Sequence, residues 1–468
     1  MTSEPPASPI ERAPGKRWGC LLYALCVVAV LVLVAGMTYF VWYANAKSEL
    51  DDIIGRIIDR GEPLWFKDLA PKETPPPADD ATPLYLLAVS KLKPASKAFY
   101  DRLEDKDLGP GLYEEFAAAL EANRPALDLL TQASKRPHFR LPIDYETKLP
   151  IAILLEPIQE ARRFSRLLQA EVYQSIGEGN SDRAVEAVLE SLKLSEMLHA
   201  EPFIITQLVR YALAAVGIQS LEVLIENAPL TPEQFTAIDE QIERMYNNMR
   251  IGPAVVAERC SAFTTIQYLA ENLDVFGSTG DDAEQWQRMA SFFTSSPVRP
   301  YLMQEQAYIL KILTDFADAV DKPGEEGSAA VMELDKRVKE DGARSHVLTK
   351  LLMPAVAMYR GAGLRTRQRL LNARLGLRIA RYRTEHGELP KTLADILDDK
   401  LANAVDEYTG LPLIYESNPD GFMLYPAEDS LAVDHTGIKK PETAKEVNTF
   451  EAKFAPPKPR EEKKPDQP

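Results

Sequence analysis

The sequence predicts a mainly α-helical protein with an N-terminal transmembrane helix, an irregular helical-hairpin body, a small C-terminal α+β hairpin module and disordered termini. Three observations predict this architecture. Residues 18–46 contain no Asp, Glu, Lys or Arg. Apolar residues recur at helical spacing from about residue 82 to residue 383, and two short apolar runs near the C-terminus flank turn-forming residues.

Residues 18–46 have the length and the flanking residues of a transmembrane helix. About 20 apolar residues cross the ~30 Å hydrocarbon core of a bilayer, and residues 21–41 supply that length. Aromatic residues stand near both ends, as in the belts that lie at headgroup depth: Trp18, Tyr23, Tyr39, Trp42 and Tyr43. We therefore expect the chain to contact the lipid bilayer through residues 18–46.

Three other interpretations fit this segment less well. A buried core helix would not explain the lysine and arginine flanks or the terminal aromatic residues. The sequence Ala44-Asn45-Ala46 has the small-x-small form of a signal-peptidase site, but the apolar run exceeds the roughly 7–15 residues of a signal peptide. Lipid attachment at Cys20 or Cys26 would need small residues before the cysteine, and Tyr23-Ala24-Leu25 does not supply them.

Positive charge orients the predicted span. Arg12, Lys16 and Arg17 lie in or next to a proline-rich start, so we predict that residues 1–17 form a disordered cytoplasmic tail. The chain after Lys47 is then expected to be extracytoplasmic, in the periplasm, with the span in the cell (inner) membrane. The first 17 residues carry a net charge of +1 and the whole chain −16, so the exported part carries −17. A body this acidic disfavours nucleic acid as a partner.

Residues 47–83 are predicted to form a juxtamembrane helix and a Pro-rich spacer. An apolar stripe at helical spacing follows the span, and we expect it to pack on the body, with a second copy of the chain as the alternative: Leu50, Ile53, Ile54, Ile57 and Ile58. Five prolines between Pro71 and Pro83 predict a stiff extended spacer that lifts the body off the membrane.

The body, residues 84–353, is predicted to be helical almost throughout. Its clearest helix start is Thr231-Pro232-Glu233-Gln234, an N-cap followed by proline at N1 and glutamine at N3. Two further helices flank Gly177-Glu178-Gly179-Asn180, and Ser181 or Asp182 is expected to cap the second. This hairpin resembles a tetratricopeptide unit, although no second copy follows at a 34-residue offset.

Several features of the body have more than one interpretation. Residues 203–225 are apolar enough for a second span, but Gln207, Arg210 and Gln219 indicate a buried core helix. Cys260 is the only cysteine outside the span, so we expect a buried small hydrophobe, with an intermolecular thiol as the alternative. An aromatic group is predicted to belong to the core: Trp286, Phe292, Phe293, Tyr301 and Tyr308.

Residues 354–430 are predicted to form a long helix and a β-hairpin. The helix, residues 354–383, is expected to turn its eight arginines, from Arg360 to Arg383, mostly outward, where pairing with acidic residues is more favourable than binding an anionic partner. A helix cap at Gly387, a short helix starting at Thr392 and strands at 413–416 and 422–425 follow. Residues 431–468 are rich in Lys, Glu and Pro and are predicted to be a disordered tail.

The order of these C-terminal elements resembles that of a known family. The residues are Tyr382-Arg383-x-x-x-Gly387-x-x-Pro390-x-x-Leu393, then Asp406-x-x-Thr409-Gly410-x-Pro412-Leu413-x-Tyr415, then Gly421-Phe422-x-Leu424-Tyr425. Residues 370–426 are similar to the C-terminal segment of the type II secretion major pseudopilins. The chain lacks a prepilin cleavage site, and as a whole it resembles uncharacterised single-pass bacterial envelope proteins in which such a hairpin follows an α-helical body.

The pseudopilin resemblance raises the question of calcium, because the loop after the hairpin binds Ca²⁺ in some members. Hard oxygen ligands are what that ion requires. Five carboxylates lie in this region, but they do not match a ligand pattern residue by residue, and a solvated loop is the simpler expectation: Asp406, Glu407, Asp420, Glu428 and Asp429. We therefore predict no metal site.

The sequence carries no catalytic or cofactor motif. None of the five histidines has zinc-ligand spacing, and there is no G-x-S-x-G elbow, phosphate loop or dinucleotide fingerprint. We predict no catalytic, cofactor-binding or metal residues and expect a protein that is not an enzyme. The leading hypothesis is a membrane-anchored extracytoplasmic scaffold with protein partners. The alternatives are an accessory component of a secretion or pilus-like envelope machine, and an envelope hydrolase.

Overall fold

The computed structural model describes residues 16–104, 113–153, 155–271, 298–342, 346–399, 401, 403–426 and 449–454. Most of this part of the chain is helical. The helices are α1 (Lys16–Asp59), α2 (Thr82–Lys91), α3 (Lys97–Glu104), α4 (Tyr113–Ala133), α5 (Glu156–Gly177), α6 (Ser181–Met197), α7 (Ile204–Asn227), α8 (Pro232–Asn247), α9 (Gly252–Glu271), α10 (Arg299–Val320), α11 (Gly324–Gly342), α12 (Val347–Leu352) and α13 (Val356–His386).

Helix α1 joins the predicted span and the predicted juxtamembrane helix into one continuous element. Every residue from 22 to 38 is exposed, and burial begins at Tyr39. Ala46 is the first fully buried residue of the helix. The exposed part has the composition and length of a membrane span, and α7 passes the same test although two-thirds of its apolar window is buried inside the protein. The prediction that residues 203–225 form a core helix is consistent with this burial.

The Pro-rich segment lies along the body and does not form the free-standing extended spacer that the sequence predicts. The C-terminal turns of α1 already pack against the body, ahead of the prolines. The segment then runs along the body: Ala81 N donates to His138 O at 2.7 Å, and Arg136 donates to the carbonyl oxygen of Pro77 at 3.1 Å. Apolar burial at Ile53 and Ile57 fixes the body before the chain reaches the prolines.

Helix caps in the body follow the local sequence. Thr231 and Gln234 form the expected reciprocal capping box at the start of α8. At the start of α6 the N-cap is Asn180, whose side chain accepts from Arg183 N at 3.1 Å. The cap therefore lies one or two residues before Ser181 and Asp182, the predicted capping residues. Gly179 makes the preceding turn with a φ of 71°, a left-handed conformation that glycine adopts without strain.

Helix α13 lies at the centre of the fold. It contacts α7, α8, α11 and the C-terminal strands, and it ends at Gly387, whose φ of 77° gives the expected left-handed cap. One buried apolar cluster runs from Ala81 to Phe454. The predicted boundary at residue 354 therefore does not separate two hydrophobic cores.

A three-stranded antiparallel sheet covers the end of α13. Strands β1 (Ile414–Asn418) and β2 (Gly421–Tyr425) form the predicted hairpin, with Asn418 opposite Gly421. Strand β3 (Phe450–Lys453) pairs with the other edge of β2, and Phe422 lies opposite Ala452. The prediction that all of residues 431–468 are disordered is thus wrong for β3, because Phe450 and Ala452 supply the alternating burial of a strand. Residues 1–15, 427–448 and 455–468 lie outside the described part.

Two smaller sequence expectations complete the comparison. Thr392 and Asp395 cap a short 3-10 helix, Leu393–Ile396, where the sequence predicts a short helix. Tyr301 and Tyr308 lie on α10, half-buried, whereas Trp286, Phe292 and Phe293 of the predicted aromatic group lie outside the described residues.

Candidate functional site

The junction between α1 and the body is held by two arginines. Arg259 of α9 is fully buried and donates to Glu62 Oε2 at 2.7 Å, to Thr314 Oγ1 at 2.8 Å and to the carbonyl oxygen of Pro63 at 3.0 Å. Arg60, which follows α1, forms a bidentate pair with Asp318 of α10 at 2.9 and 2.6 Å. A buried cation with three oxygen partners fixes the chain direction where α1 ends.

Apolar residues complete this junction. Ile53 and Ile57 of α1 are buried with Phe263 of α9 and Leu310 of α10, and the Trp65 ring packs 4.8 Å from the Phe263 ring. The expectation that the stripe after the span packs on the body is confirmed for its buried members. Together with the ion pairs, this packing joins α1 rigidly to the body.

Cys260 belongs to the same junction. It is fully buried, and its thiol contacts the carbonyl oxygen of Pro63 at 3.3 Å. Burial raises the pKa of this thiol to about 12, so the thiolate needed for disulfide exchange does not form at neutral pH. The interpretation of Cys260 as a buried small hydrophobe is confirmed.

Helices α1 and α10 run parallel to each other. Trp42 Nε1 of α1 donates to Gln304 Oε1 near the start of α10 at 3.1 Å, and Arg60 pairs with Asp318 near its end. The start of α10 therefore points toward the exposed apolar part of α1. Trp42 and Tyr39, two residues of the predicted aromatic belt, stand where the body begins to cover the helix.

A cleft of about 700 Å³ opens beside the junction. Most of its acidic groups already have partners: Asp318 pairs with Arg60, and Asp321 Oδ1 accepts from Gly252 N at 3.0 Å. Glu201 differs. Its Oε1 accepts from Leu141 N at 2.7 Å, while its Oε2 is buried with no hydrogen-bond partner among the described residues, and burial raises its pKa to about 7.

A second cavity, of about 670 Å³, lies between α5, α7, α13 and β3. Four arginines line it together with one carboxylate among the described lining residues, Glu222: Arg162, Arg163, Arg166 and Arg369. Burial, together with neighbouring Arg365, lowers the pKa of Arg369. Within the part of the chain that the structure describes, the buried hydroxyl of Ser165 in its wall has no hydrogen-bond partner. The lining is basic, although Arg163 already pairs with Glu160 at 3.0 Å and Arg166 donates to Gln169 Oε1 at 2.9 Å.

The prediction that the arginines of α13 face mostly outward is wrong, because α13 is surrounded by other elements. Arg360 and Arg374 are 2% and 3% exposed. The prediction that they pair with acidic residues is confirmed for Arg374, which bonds Asp239 at 2.8 Å, whereas Arg360 donates to Ser328 Oγ at 2.5 Å and to two backbone carbonyl oxygens. Further pairs join Arg367 to Glu407, Arg378 to Asp239 and Asp398, and Arg381 to Glu385.

The carboxylates considered for calcium perform separate tasks. Asp406 accepts from Tyr408 N at 2.7 Å within its own loop, whereas Glu407 accepts from Arg367 Nε at 3.3 Å and from the Tyr246 hydroxyl. Asp420 occupies the exposed β1–β2 turn, and Glu428 and Asp429 lie outside the described residues. Within the described ranges, no three His, Cys, Asp or Glu side chains are grouped as a metal ion would require.

One residue in the sequence could have indicated the junction. Arg259 lies beside Glu258 on a helix rich in small and apolar residues, and a cation on a buried face demands a partner. The sequence around Arg259 does not identify its acidic partner, since Glu62 lies 197 residues away. No sequence pattern marks Glu201, because its hydrogen-bond donor is the backbone amide of Leu141, which any residue could supply.

Known proteins provide no further guide to this site. Searches of protein families, curated proteins and solved structures find no match to the chain.

Proposed function

We propose that the protein is a single-pass, membrane-anchored scaffold whose extracytoplasmic α-helical body presents binding surfaces to other envelope proteins. The observation that carries this proposal is the junction. Helix α1 enters the body without a break, and Arg259, Arg60 and the packing of Ile57 hold it there. A body fixed to its anchor presents its surfaces at a set distance from the membrane, which suits a platform for partners.

The proposed orientation places the N-terminus in the cytoplasm and the body on the other side of the inner membrane. The exposed, charge-free part of α1 and the cations Arg12, Lys16 and Arg17 before it support this topology. Packed helical hairpins such as α5–α6, which resembles a tetratricopeptide unit in its turn, supply the extended helical surfaces that such scaffolds use.

Proximity labelling in the native envelope tests the proposal. A labelling enzyme is fused to the C-terminus of the full chain and of a matched chain in which residues 1–46 are replaced by a cleavable signal peptide. We expect the anchored protein to label a reproducible set of envelope proteins that the released body does not label. A set identical to that of an anchor-only control, residues 1–60 on an unrelated domain, would reject the scaffold. A mature N-terminus at Lys47 would reject the anchor.

A second candidate is an accessory component of a secretion or pilus-like envelope machine. Support comes from the order long helix, short helical turn and antiparallel hairpin across residues 370–426. Deleting this region would remove part of the shared core, so the test uses the exposed hairpin tip. Full chains with E416K and D420K are compared with wild type in a pull-down. Recovery of secretion components by wild type alone supports this role, and recovery by neither chain opposes it.

An envelope hydrolase is the third candidate, and Glu201 is the residue that favours it. A buried carboxyl with a pKa near neutrality in a cleft is the form in which a general acid or base works. The test assays ester, amide and glycoside model substrates with wild type, E201Q and E258Q. Glu258 is an instructive control, because it too is buried with a raised pKa but does not line this cleft. Equal activity in E201Q and wild type argues against a catalytic role for Glu201, and no activity in either argues against a hydrolase of these substrate classes.

A further inference from the structure

The end of the body that faces the exposed part of α1 is built from two antiparallel helices. Arg259 of α9 bonds Thr314 of α10, and nearer the other end Gln306 Nε2 donates to Gln267 Oε1 at 2.6 Å. Since Gln304 also holds Trp42, the last turns of α9 and the first turns of α10 lie at the depth of Trp42. This depth is where burial of α1 begins.

The short helix α12 is fastened at that depth. Tyr301 and Glu305 of α10 receive its first backbone amides: Val347 N donates to Tyr301 Oη at 3.4 Å, and Thr349 N donates to Glu305 Oε2 at 2.9 Å. The Thr349 hydroxyl donates to the same oxygen at 2.7 Å. Glu305 and Thr349 are both fully buried, so one side of α12 is firmly seated.

The other side of α12 is apolar and open. Leu351 is 71% exposed and Val347 is 62% exposed, the two highest values for large apolar residues in the described part of the chain outside α1. Ile151, 59% exposed, lies in the 3-10 helix Pro150–Ala152 that contacts α9, where its neighbour Leu149 packs on Leu269 near the end of that helix. Three strongly exposed apolar side chains therefore share the end of the body at which α1 emerges.

We propose that this end, formed by α12 and Ile151, rests in the interfacial layer of the same bilayer that α1 crosses. The proposal rests on the proposed membrane anchoring and adds a second membrane contact to it. The parallel run of α1 and α10 sets the depth, because Trp42 and the seat of α12 are both bonded to the first two turns of α10. Apolar side chains at that depth bury themselves in the headgroup and acyl boundary, and exposed Lys350 can reach anionic headgroups.

A bilayer explains the position of these residues better than a protein partner does. A protein-binding surface could lie anywhere on the body. These side chains instead lie at the depth of Trp42, where the proposed anchoring would place them beside lipid. Two contacts, α1 and α12, would also fix the tilt of the body relative to the membrane. A single spanning helix leaves the body free to rotate about the axis of that helix.

Depth-dependent quenching in the full-length protein tests the proposal. Single cysteines are placed in a chain whose Cys20, Cys26 and Cys260 are replaced, at L351C and V347C and, as controls, at L31C in the span and L411C. Leu411 lies beyond the far end of α10, because the backbone of nearby Tyr408 contacts Gly324 just after that helix. About 20 residues of α10 separate the two ends, or roughly 30 Å at 1.5 Å per residue.

Each chain is labelled with an environment-sensitive fluorophore and reconstituted into nanodiscs of phosphatidylethanolamine and phosphatidylglycerol with or without nitroxide-labelled lipid. We expect quenching and blue-shifted emission at residues 31, 347 and 351, and neither at residue 411. Quenching at residue 31 without quenching at residues 347 and 351 overturns the second contact and leaves the anchor intact. No quenching at residue 31 overturns the anchor itself. Equal quenching at residues 351 and 411 also overturns the proposal, because the whole body would then lie against lipid.

Discussion

Arg259 in α9 and Glu62 just after α1 form an ion pair of 2.7 Å between residues 197 positions apart in the chain. The arginine side chain has no exposed surface, and that of Glu62 is 20% exposed. Helix α1 is therefore tied to the body through a buried charge, and Glu62 joins the two arginines of the junction, because its other oxygen accepts from Arg60 Nε at 2.6 Å.

The first prediction compares the two arginines of the junction. R259A should lower the free energy of unfolding by about 2–4 kcal/mol, because it removes the buried donor of Glu62, Thr314 and the Pro63 carbonyl group and leaves Glu62 paired with Arg60 alone. R60A removes the pair with Asp318, whose side chains are 43% and 51% exposed, and a contact with Glu62, which keeps its pair with Arg259. Solvent screening of the exposed Arg60 limits the effect to about 1 kcal/mol or less. Thermal unfolding of the detergent-solubilised full chain measures both. Equal losses would mean that the buried pair has no special role.

The second prediction concerns the contact between α13 and β3. A Cβ atom on Gly376 would overlap the Phe450 ring, so G376A should destabilise the protein by about 1–3 kcal/mol through overpacking. G361A lies on the same helix, where a Cβ meets only the Arg365 guanidinium at ordinary contact distance. That variant should be neutral or stabilising by up to about 1 kcal/mol, because alanine is the better helix former. Denaturant unfolding of both variants checks the difference, and similar effects of the two would contradict it.

The third prediction is a pH dependence from Glu201. Its pKa rises from 4.5 to about 7 on folding, so the folded chain binds this proton more tightly than the unfolded chain does. The resulting stabilisation is complete below pH 4.5 and is lost as the pH rises through 7, an effect of about 3 kcal/mol. E201Q removes the titrating group, so the wild-type stability should fall relative to that of E201Q between pH 5 and pH 7.5. Parallel stability curves for the two proteins over that range would refute the assignment.

The fourth prediction separates β3 from the rest of the C-terminal tail. A chain that stops after residue 454 keeps β3 and should unfold at the wild-type temperature. A chain that stops after residue 448 loses Phe450 and Ala452, both buried, and exposes Phe422 of β2 to water. Losing one buried Phe costs about 3–5 kcal/mol, so this chain should be markedly less stable. Identical melting temperatures for the two truncations would show that β3 contributes nothing.

Local features were predictable because they depend on neighbours in the sequence. The capping box at Thr231 and Gln234 satisfies helix-end amides within three residues, and the glycine cap at Gly387 needs only its own backbone freedom. The burial of Cys260 was expected from the lack of a partner cysteine outside the span. The β1–β2 hairpin was likewise encoded by its turn, although the observed strands are longer than predicted.

By itself the sequence determined the helical class, the charge-free segment from residue 18 to 46 and the caps of individual helices, since length, periodicity and end chemistry are local properties. Tertiary structure decided which side of α13 its arginines occupy, that β3 closes the sheet, and that α1 rather than the prolines positions the body. These outcomes depend on contacts between residues far apart in the chain. The position of Arg259 beside Glu62, and of α12 and Trp42 on the same first turns of α10, exists only once α9 and α10 have packed against α1.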